Sequence, residues 1–329
     1  MITVAFFNNK GGVGKTSLVY HLAWMFADLG KRVLAADLDP QANLSSAFLD
    51  EERLEEIWSE AGRPKTVYGC IHPLDRGTGD IAFPHVEEVD HRIGLLIGDL
   101  GLSRFEDELS KQWPECLQRR ERAFRVISVF WRILSMAAES HAADIVLIDV
   151  GPNLGAINRS ALIASDHVVV PLAPDLFSLQ GLRNLGPALR DWREAWAEMK
   201  PRNPVPHDLI LPDGRMDPAG YVVMQHSVRL DRPVKAYDRW IKRIPAEFRS
   251  SVLGVDEEDV PNIGDDVWCL ALMKHYRSLM PMSQEARKPV FHLRVADGAI
   301  GSHAQASVAA FDHFNRLAKA IADKVGMTI

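Results

Sequence analysis

The sequence predicts an α/β fold in which a mostly parallel, twisted sheet is flanked by helices. Along the 329 residues, short apolar runs of strand length alternate with longer runs of helical periodicity, a pattern typical of parallel α/β proteins. Most of the short runs are apolar throughout, as expected for strands that helices cover on both faces. A glycine-rich loop joins the first apolar run to the first helical run. We therefore expect one α/β domain over residues 1–329.

Seven strands and five helices account for this alternation. The strands are predicted at residues 2–7, 32–36, 93–97, 145–148, 167–171, 221–224 and 267–272. The helices are predicted at residues 15–29, 122–138, 179–199, 233–248 and 305–325. Two polar stretches rich in proline and glycine interrupt the pattern, and we interpret them as insertions or long surface loops on the single domain. They lie at about residues 50–90 and 201–220.

The composition is that of an ordinary globular protein and excludes several classes. With 47% hydrophobic and 25% charged residues, the chain is neither disordered nor fibrous. No apolar stretch approaches the roughly 18 to 20 residues of a membrane span. The N-terminus lacks the basic start of a signal peptide, so a cytoplasmic location is expected. Three scattered cysteines, Cys70, Cys116 and Cys269, predict buried thiols rather than a disulfide framework or a zinc site.

The segment Asn9–Thr16 has the spacing of a phosphate-binding loop between a strand and a helix. It has the sequence NKGGVGKT. Its glycines allow backbone N–H groups to approach phosphate oxygens, and the helix N-terminus adds a favourable dipole. Lys15 is predicted to reach the β- and γ-phosphates, while the Thr16 hydroxyl binds Mg²⁺. The residues predicted to hold the nucleotide are Gly11, Gly12, Val13, Gly14, Lys15, Thr16 and Ser17.

A second lysine, Lys10, distinguishes this loop from the common phosphate-binding loop. The residues KGGVGKT resemble the deviant Walker A motif of the ParA/MinD family of ATPases, also called the SIMIBI class. The resemblance implies a P-loop NTPase fold, binding of ATP and Mg²⁺, and a homodimer that forms in the ATP state. In that family the first lysine crosses the dimer interface to the partner's nucleotide. The resemblance therefore gives Lys10 a catalytic role in trans, beside Lys15.

The segment Asp37–Asn43 resembles the family's switch I. It has the sequence DLDPQAN, with Ala42 where the family has glycine. A carboxylate at the carboxyl end of a strand, beside the phosphate loop, is placed to orient water or to hold Mg²⁺. The resemblance implies that Asp39 is a catalytic and metal-binding residue and that Asp37 is a supporting acid. Capping of the next helix is the structural alternative for both.

The segment Asp144–Gly155 resembles a Walker B strand that runs into switch II. Four apolar residues end in Asp149, and the following residues VGPNLG differ from the family's frequent CPPSLG. The resemblance implies that Asp149 binds Mg²⁺ through water and that the Gly151 N–H senses the γ-phosphate. Residues 168–182 and 282–291 are also similar to family segments, so the resemblance extends from about residue 2 to residue 325.

A late basic segment, residues 229–243, is the candidate DNA-binding surface. Six basic and two acidic side chains give it a net charge of +4, whereas the whole chain carries −6. On a helix the basic side chains would share an arc of about 140°, opposite the apolar ones. In ParA-type partition proteins the non-specific DNA surface uses basic residues on this late helix, and a solvated basic face is the alternative. The candidates are Arg229, Arg232, Lys235, Arg239, Lys242 and Arg243.

Together with the resemblance, these residues predict an ATPase whose ATP-bound homodimer binds DNA non-specifically. ATP hydrolysis would then drive the partition or positioning of a plasmid, chromosome or protein cargo. ATP and Mg²⁺ are the expected cofactors, and a ParB-like partner or cargo adaptor is expected to stimulate slow hydrolysis. We expect a cytoplasmic protein, associated with the nucleoid when ATP is bound. Membrane binding is not expected, because the final residues KVGMTI lack a basic amphipathic helix.

Two alternatives remain open at this point. One is a positioning ATPase for a protein cargo, which shares the DNA-binding step. The other is an ATP switch that acts only through protein partners. A metallocentre or redox carrier of the same class is disfavoured, because the three cysteines show no local pairing.

Overall fold

The apolar runs of the sequence form a twisted sheet of eight strands in the computed structural model. The structure describes residues 1–226, 228, 229, 232, 233, 239–274, 276 and 278–329. The sheet has the strand order β10-β7-β6-β1-β5-β2-β4-β3, and β8 pairs with β9 in a separate hairpin. The strand bounds are β1 Ile2–Phe6, β2 Val33–Asp37, β3 Glu87–Asp90, β4 Ile93–Leu96, β5 Ile145–Asp149, β6 His167–Leu172, β7 Asp217–His226, β8 Val228–Arg229, β9 Arg232–Pro233 and β10 Cys269–Lys274.

All neighbouring strands of the large sheet run parallel except β3, which pairs antiparallel with β4 at one edge. The helices that the structure describes lie between and beyond these strands. Their bounds are α1 Lys15–Asp28, α2 Asn43–Phe48, α3 Glu51–Trp58, α4 Val67–Asp75, α5 Glu106–Glu115, α6 Glu121–Ile127, α7 Val129–His141, α8 Ala156–Ile163, α9 Leu176–Met199, α10 Ile244–Glu247, α11 Leu279–Ala286 and α12 Ser302–Lys324.

Each face of the sheet has its own apolar core. On β1, Val4 and Phe6 belong to the core shared with α1 and α12, whereas Ala5 belongs to the core on the opposite face. This alternation follows from strand geometry, since successive side chains point to opposite faces. Both faces are buried, which explains why the strands are apolar throughout. The predicted fold class is therefore confirmed. None of the described helices is both long and apolar enough to cross a membrane.

Two parts of the sequence prediction need refinement. The predicted helix at residues 122–138 is divided into α6 and α7 at Ser128, whose buried hydroxyl donates to the Phe124 carbonyl at 2.6 Å. The segment at about residues 50–90 contains α3, α4 and β3 rather than a long loop. Its helices bury apolar side chains such as Ile57 and Ile71 in the two cores, so tertiary packing offsets a polar local composition.

The predicted helix at residues 233–248 is only partly confirmed over its described parts, because residues 239–241 and 244–247 are helical whereas Pro233 is not. Pro233 lies in the hairpin strand β9, paired with Val228, and residues 234–238 lie outside the described residues. Residues 239–241 are helical, and residues 242 and 243 form a turn in which the Arg243 N–H donates to the Trp240 carbonyl at 3.0 Å. Helix α10 then begins at Ile244 with Pro245 in its first turn, where proline is tolerated.

Candidate active site

Three strand ends bring the sequence-predicted motifs together at the carboxyl edge of the sheet. Phe6, the last residue of β1, pairs in register with Asp149 of β5, and Asp149 pairs with Asp37 of β2. The loop after β1 therefore lies beside both acids. Carboxyl edges of parallel sheets are the usual place for ligand sites in α/β folds.

The phosphate loop adopts a backbone that needs glycine at two positions. Gly12 and Gly14 have φ angles of +73° and +88°, a region that side chains with a Cβ rarely adopt. Gly14 is the N-cap of α1, and no side chain caps this helix. The first N–H groups of α1 thus lack a capping side chain and are suited to binding phosphate oxygens.

Lys15 lies at the start of α1 with its side chain turned back over the loop. It is buried, and its Nζ donates to the Asn8 carbonyl at 3.3 Å. Burial lowers the pKa of Lys15, while the negative charges of Asp149 and Asp39 partly offset this effect. A buried cation with few partners favours the arrival of an anion such as a phosphate group.

Asn8 anchors the start of the loop, a role that sequence analysis missed. Its Nδ2 donates to the Pro171 carbonyl at 2.7 Å, and its Oδ1 accepts from the Lys10 N–H at 2.9 Å. Helix α9 approaches this point closely, since a Cβ at Gly181 would lie only 2.8 Å from Asn9 Oδ1. The side-chain amide thus ties the phosphate loop to β6.

The three acids of the site occupy different environments. The Asp37 carboxylate accepts hydrogen bonds of 2.7 Å from both the N–H and the hydroxyl of Ser45. Asp37 thereby caps the first turn of α2, although it lies outside that helix. Burial raises the pKa of Asp37 to about 7, partly offset by Ser45. Burial also raises the pKa of Asp149 to about 8, and the neighbouring charge of Asp37 adds to the effect. Asp39 accepts from the Gln41 N–H at 3.0 Å.

Asp149 fits a magnesium ion. Neither of its carboxylate oxygens makes a hydrogen bond of normal geometry, although both are buried; the nearby Thr16 hydroxyl and Lys15 lower its pKa in part. Among the described residues, no three His, Cys, Asp or Glu side chains converge to hold a metal by themselves. This donor set suits Mg²⁺, which usually takes one or two carboxylates together with phosphate oxygens and water.

Lys10 forms an ion pair within its own chain. Its Nζ lies against the carboxylate of Asp175, and it also lies 5.7 Å from the centre of the Phe177 ring. Phe177 is 70% exposed, although its side chain is large and apolar. The lysine that the family resemblance assigns to a partner's nucleotide is therefore at the protein surface, beside an exposed aromatic ring.

Gly151 of switch II lies close to switch I. A Cβ at Gly151 would be 3.4 Å from Asp39 Oδ1, so the two switches touch at this glycine. Switch I itself contains a left-handed residue, because Ala42 has a φ angle of +51°. The family's glycine at this position is suited to that conformation, and Ala42 retains it here.

A cavity of about 670 Å³ opens beside the phosphate loop and extends between α1, α2 and α11. Opposite the phosphate loop, three side chains of α11 line the cavity, and the sequence motifs predicted no role for them. Helix α11 overlaps residues 282–291, which are similar to a segment of the family. The lining residues beyond the loop are Tyr20, His21, Asp39, Gln41, Asn43, Ser46, Ala47, Pro152, Met280, Ser283 and Gln284. The volume is in the range of small-molecule and cofactor sites.

The candidate DNA-binding residues do not share one helix face, which corrects the helical arrangement predicted from sequence. Arg229 belongs to strand β8 and Arg232 belongs to strand β9, whereas Lys235 lies outside the described residues. Lys242 and Arg243 lie in the turn before α10. The guanidinium groups of Arg239 and Arg243 lie 5.0 Å and 5.4 Å from the ring centre of Trp240. The hairpin pairing and the turn at residue 243 break the helical periodicity.

Comparison with known proteins decides the family. A family model described as an AAA domain matches residues 1–199. The chromosome-partitioning ATPase Soj of Thermus thermophilus is 29% identical over 199 residues, which cover 60% of this chain and 64% of Soj. The chain belongs to the ParA/MinD family of ATPases. A putative replication protein A of Rhizobium rhizogenes is 31% identical over 205 residues.

The match with these relatives is partial in length. It covers 60% of this ParA/MinD family chain but only 47% of the Rhizobium protein. For the Thermus and Bacillus subtilis Soj proteins it covers 64% and 62% of their length. The matched part thus spans about half to two thirds of these curated relatives, and the family-model match over residues 1–199 contains the phosphate loop and both switches.

Solved structures of the family share the fold over nearly the whole chain. Protein DIP2308 of Corynebacterium diphtheriae has a TM-score of 0.73 and 27% identity, covering 98% of both chains. The pNOB8 ParA structure has a TM-score of 0.65 and 19% identity, covering 99% of this chain and 98% of that one. A putative plasmid partition protein of Borrelia burgdorferi, bound to AMPPNP, has a TM-score of 0.61 at 16% identity over 98% of this chain and 99% of its own.

Proposed function

We propose that this protein hydrolyses ATP, dimerises in its ATP state and in that state binds DNA non-specifically, so as to partition or position a plasmid, chromosome or protein cargo. The observation that carries the proposal is the phosphate loop, where Lys10 and Lys15 flank left-handed glycines beside the unpartnered carboxylate of Asp149. Membership of a family that contains partition ATPases supports it.

The residues divide the work of hydrolysis among them. Lys15 in cis and Lys10 from the second subunit would neutralise negative charge on the transferred phosphoryl group. Asp39 would orient the attacking water from switch I. Thr16 and Asp149 would hold Mg²⁺, with Asp39 nearby, and the ion would supply charge neutralisation at the phosphates when bound. The loop N–H groups from Gly11 to Ser17 and the Gly151 N–H would bind the phosphate oxygens.

The surface around Lys10 supports a second copy as the dimer partner. Three large apolar side chains near the phosphate loop and switch II are exposed, namely Leu154 at 38%, Leu176 at 50% and Phe177 at 70%. Exposed apolar side chains beside a functional site are typical of an interaction surface. A second copy placed there would cover them and receive Lys10.

The basic segment at residues 229–243 supports DNA as a partner of the dimer. Two copies of the segment would add their phosphate contacts, and affinity would fall with salt by a slope of about −0.9 per neutralised phosphate. A ParB-like partner or cargo adaptor would stimulate hydrolysis and release the DNA. In this model the protein is cytoplasmic, lies on the nucleoid in its ATP state and does not bind membranes.

One observation favours a second candidate, an ATP switch that acts only through protein partners. The described basic residues are divided among a hairpin, the helical residues 239–241 and the turn at residues 242 and 243, so they do not form one continuous helix face. A positioning ATPase for a protein cargo would still need the DNA step. DNA binding therefore separates the first proposal from the second.

The test measures binding to unrelated duplex DNA without nucleotide, with ADP and with ATP-Mg²⁺, using Asp39→Ala to trap the ATP state. Binding only with ATP, lost in high salt and in Lys10→Ala, supports the DNA-bound dimer. The triple variant Lys235→Ala, Arg239→Ala, Lys242→Ala should lose it and retain ATPase activity. A matched control removes three basic residues that form ion pairs elsewhere, Arg120, Lys200 and Arg202. An ATP-dependent dimer without DNA binding would favour the protein switch.

A further inference from the structure

Two side chains outside every recognised motif fix the conformation of switch II. Asn158 reaches back from the first turn of α8 into the switch, and Glu106 approaches the same turn from α5. The switch is the segment between Asp149 and Ala156, so these two side chains act on its second half. Neither residue belongs to the phosphate loop, switch I or the Walker B strand.

Asn158 forms a buried bridge between two carbonyl groups of the switch. Its side chain is 1% exposed, and its Nδ2 donates to the Gly151 carbonyl at 2.8 Å and to the Asn153 carbonyl at 2.6 Å. Asn153 Oδ1 also accepts from this nitrogen at 3.1 Å, so the two hydrogens of the amide are shared among three acceptors. The bridge fixes the peptide group that follows Gly151.

Gly151 stands between this bridge and the catalytic acid. A Cβ built on Gly151 would lie 3.4 Å from Asp39 Oδ1 and 3.7 Å from Asn158 Nδ2. The glycine therefore lies between Asp39 on one side and Asn158 on the other. A shift of the Asn158 amide would be passed directly to the residue whose N–H is proposed to sense the γ-phosphate.

Glu106 holds the helix turn that carries Asn158. Its Oε1 accepts from the Ala156 N–H at 2.5 Å, and its Oε2 accepts from the Ile157 N–H at 2.8 Å. Gly155 at the N-cap has no side chain with which to cap α8, so a carboxylate from another helix performs this role. A negative charge at the N-terminus of a helix is favourable, because it interacts with the positive end of the helix dipole.

We propose that Asn158 is a positioning residue for recognition of the γ-phosphate and that Glu106 holds it in place. The inference rests on the proposed function, in which Gly151 contacts the γ-phosphate. It predicts that the bridge is needed for distinguishing ATP from ADP but not for binding the phosphates that the two nucleotides share. In the proposed function those shared phosphates would lie on the loop at residues 10–17, whereas the hydrogen bonds of both side chains go to switch II and the start of α8.

The test replaces the donor without changing its size. In Asn158→Asp, a carboxylate would face two carbonyl oxygens and could not donate to them. We expect the affinity for AMPPNP-Mg²⁺ to fall about tenfold or more, while the affinity for ADP-Mg²⁺ changes less than about threefold. Isothermal titration calorimetry measures both affinities. The readout is the affinity ratio, defined as the affinity for AMPPNP-Mg²⁺ divided by the affinity for ADP-Mg²⁺. A merely structural role would lower both affinities together.

Asn203→Asp is the matched control. The Nδ2 of Asn203 also donates to a backbone carbonyl, that of Leu209 at 2.9 Å, in a loop outside the site. This variant should leave the affinity ratio unchanged. Glu106→Gln is the second variant, and it decides the matter if Asn158→Asp does not fold. We expect it to lower the ratio in the same direction by a smaller factor.

The outcomes separate this inference from the proposed function. If the wild-type protein binds AMPPNP and ADP but Asn158→Asp and Glu106→Gln keep the wild-type ratio, the positioning role is overturned and the proposed function stands. If the wild-type protein binds neither nucleotide, the proposed function itself fails. A fall in the ratio in either variant, with the control unchanged, supports the role.

Discussion

Lys10 of the phosphate loop is paired with Asp175, the residue that caps helix α9. Asp175 Oδ1 accepts from the Ser178 N–H at 2.9 Å, and its Oδ2 binds the Lys10 ammonium group. One carboxylate therefore serves both the helix cap and the lysine. In the proposed dimer, an ammonium group held by its own chain would have to leave this acid before it could reach a second subunit, so the pair would oppose dimerisation.

We expect Asp175→Asn to dimerise at a several-fold lower concentration of AMPPNP-Mg²⁺ than the wild-type protein. Asparagine retains the capping oxygen, but it removes the charge that holds Lys10. Sedimentation velocity across a nucleotide titration measures the midpoint. Asp213→Asn is the control, because it breaks an exposed pair with Lys200 far from the loop in sequence. An unchanged midpoint in Asp175→Asn would show that the pair does not restrain Lys10.

Two glycines with the same backbone geometry separate strain from function. Gly12 in the phosphate loop and Gly30 after α1 have φ angles of +73° and +86°, and a Cβ at either would meet no atom within 4 Å. Replacement of either by alanine should lower the free energy of unfolding by about 1–2 kcal/mol. Only Gly12→Ala should also weaken ADP binding, measured by calorimetry, by tenfold or more. Equal nucleotide affinity in the two variants would remove Gly12 from the site.

The nucleotide-free protein should become less stable as pH rises from 6.5 to 8.5. Asp37 and Asp149 have pKa values of about 7 and about 8 because they are buried, whereas an unfolded aspartate has a pKa of about 3.9. The folded state therefore retains protons that the unfolded chain has lost, so its stability decreases as pH rises and levels off only once these protons have dissociated. Asp149→Asn should show a shallower decline in thermal unfolding temperature than the wild-type protein.

This pH window avoids His21, which acts in the opposite direction at lower pH. Burial lowers the pKa of His21 to about 4, so its contribution to stability falls as pH decreases below about 6.5. Asp213→Asn, at an exposed position, is the control and should follow the wild-type curve. Parallel curves for the wild-type protein and Asp149→Asn would contradict the raised pKa of Asp149.

A buried ion pair lies beyond the end of helix α10. Arg249 donates to Asp266 at 2.7 Å, and both side chains are at most 5% exposed. Arg249→Ala leaves the Asp266 charge buried and should lower the free energy of unfolding by about 3–5 kcal/mol. Arg183→Ala is the matched control. Arg183 pairs with Glu247 of α10 but is 49% exposed, so its replacement should lower the free energy of unfolding by about 1 kcal/mol or less. Urea unfolding measures both, and similar losses would contradict the difference in burial.

The local motifs could be located from the sequence because each depends on neighbouring residues. The phosphate loop, the acid at the end of β2 and the acid at the end of β5 follow from glycine spacing and from apolar runs that end in aspartate. The helix predicted at residues 233–248 is interrupted, because proline and basic residues there are compatible with a hairpin and a turn as well as with a helix.

The sequence by itself determined the fold class, the family and the position of the predicted phosphate loop, because periodicity and short-range spacing specify strands, helices and a glycine turn. Only the tertiary structure decided which distant side chains complete the site. These side chains are Asn8, Glu106, Asn158 and Asp175. Three of them contact residues more than 50 positions away in the sequence. Asn158 contacts Gly151, only seven residues away, but the two residues lie on different elements. Such contacts depend on the register of the sheet and on the packing of helices against its carboxyl edge, which no local pattern specifies.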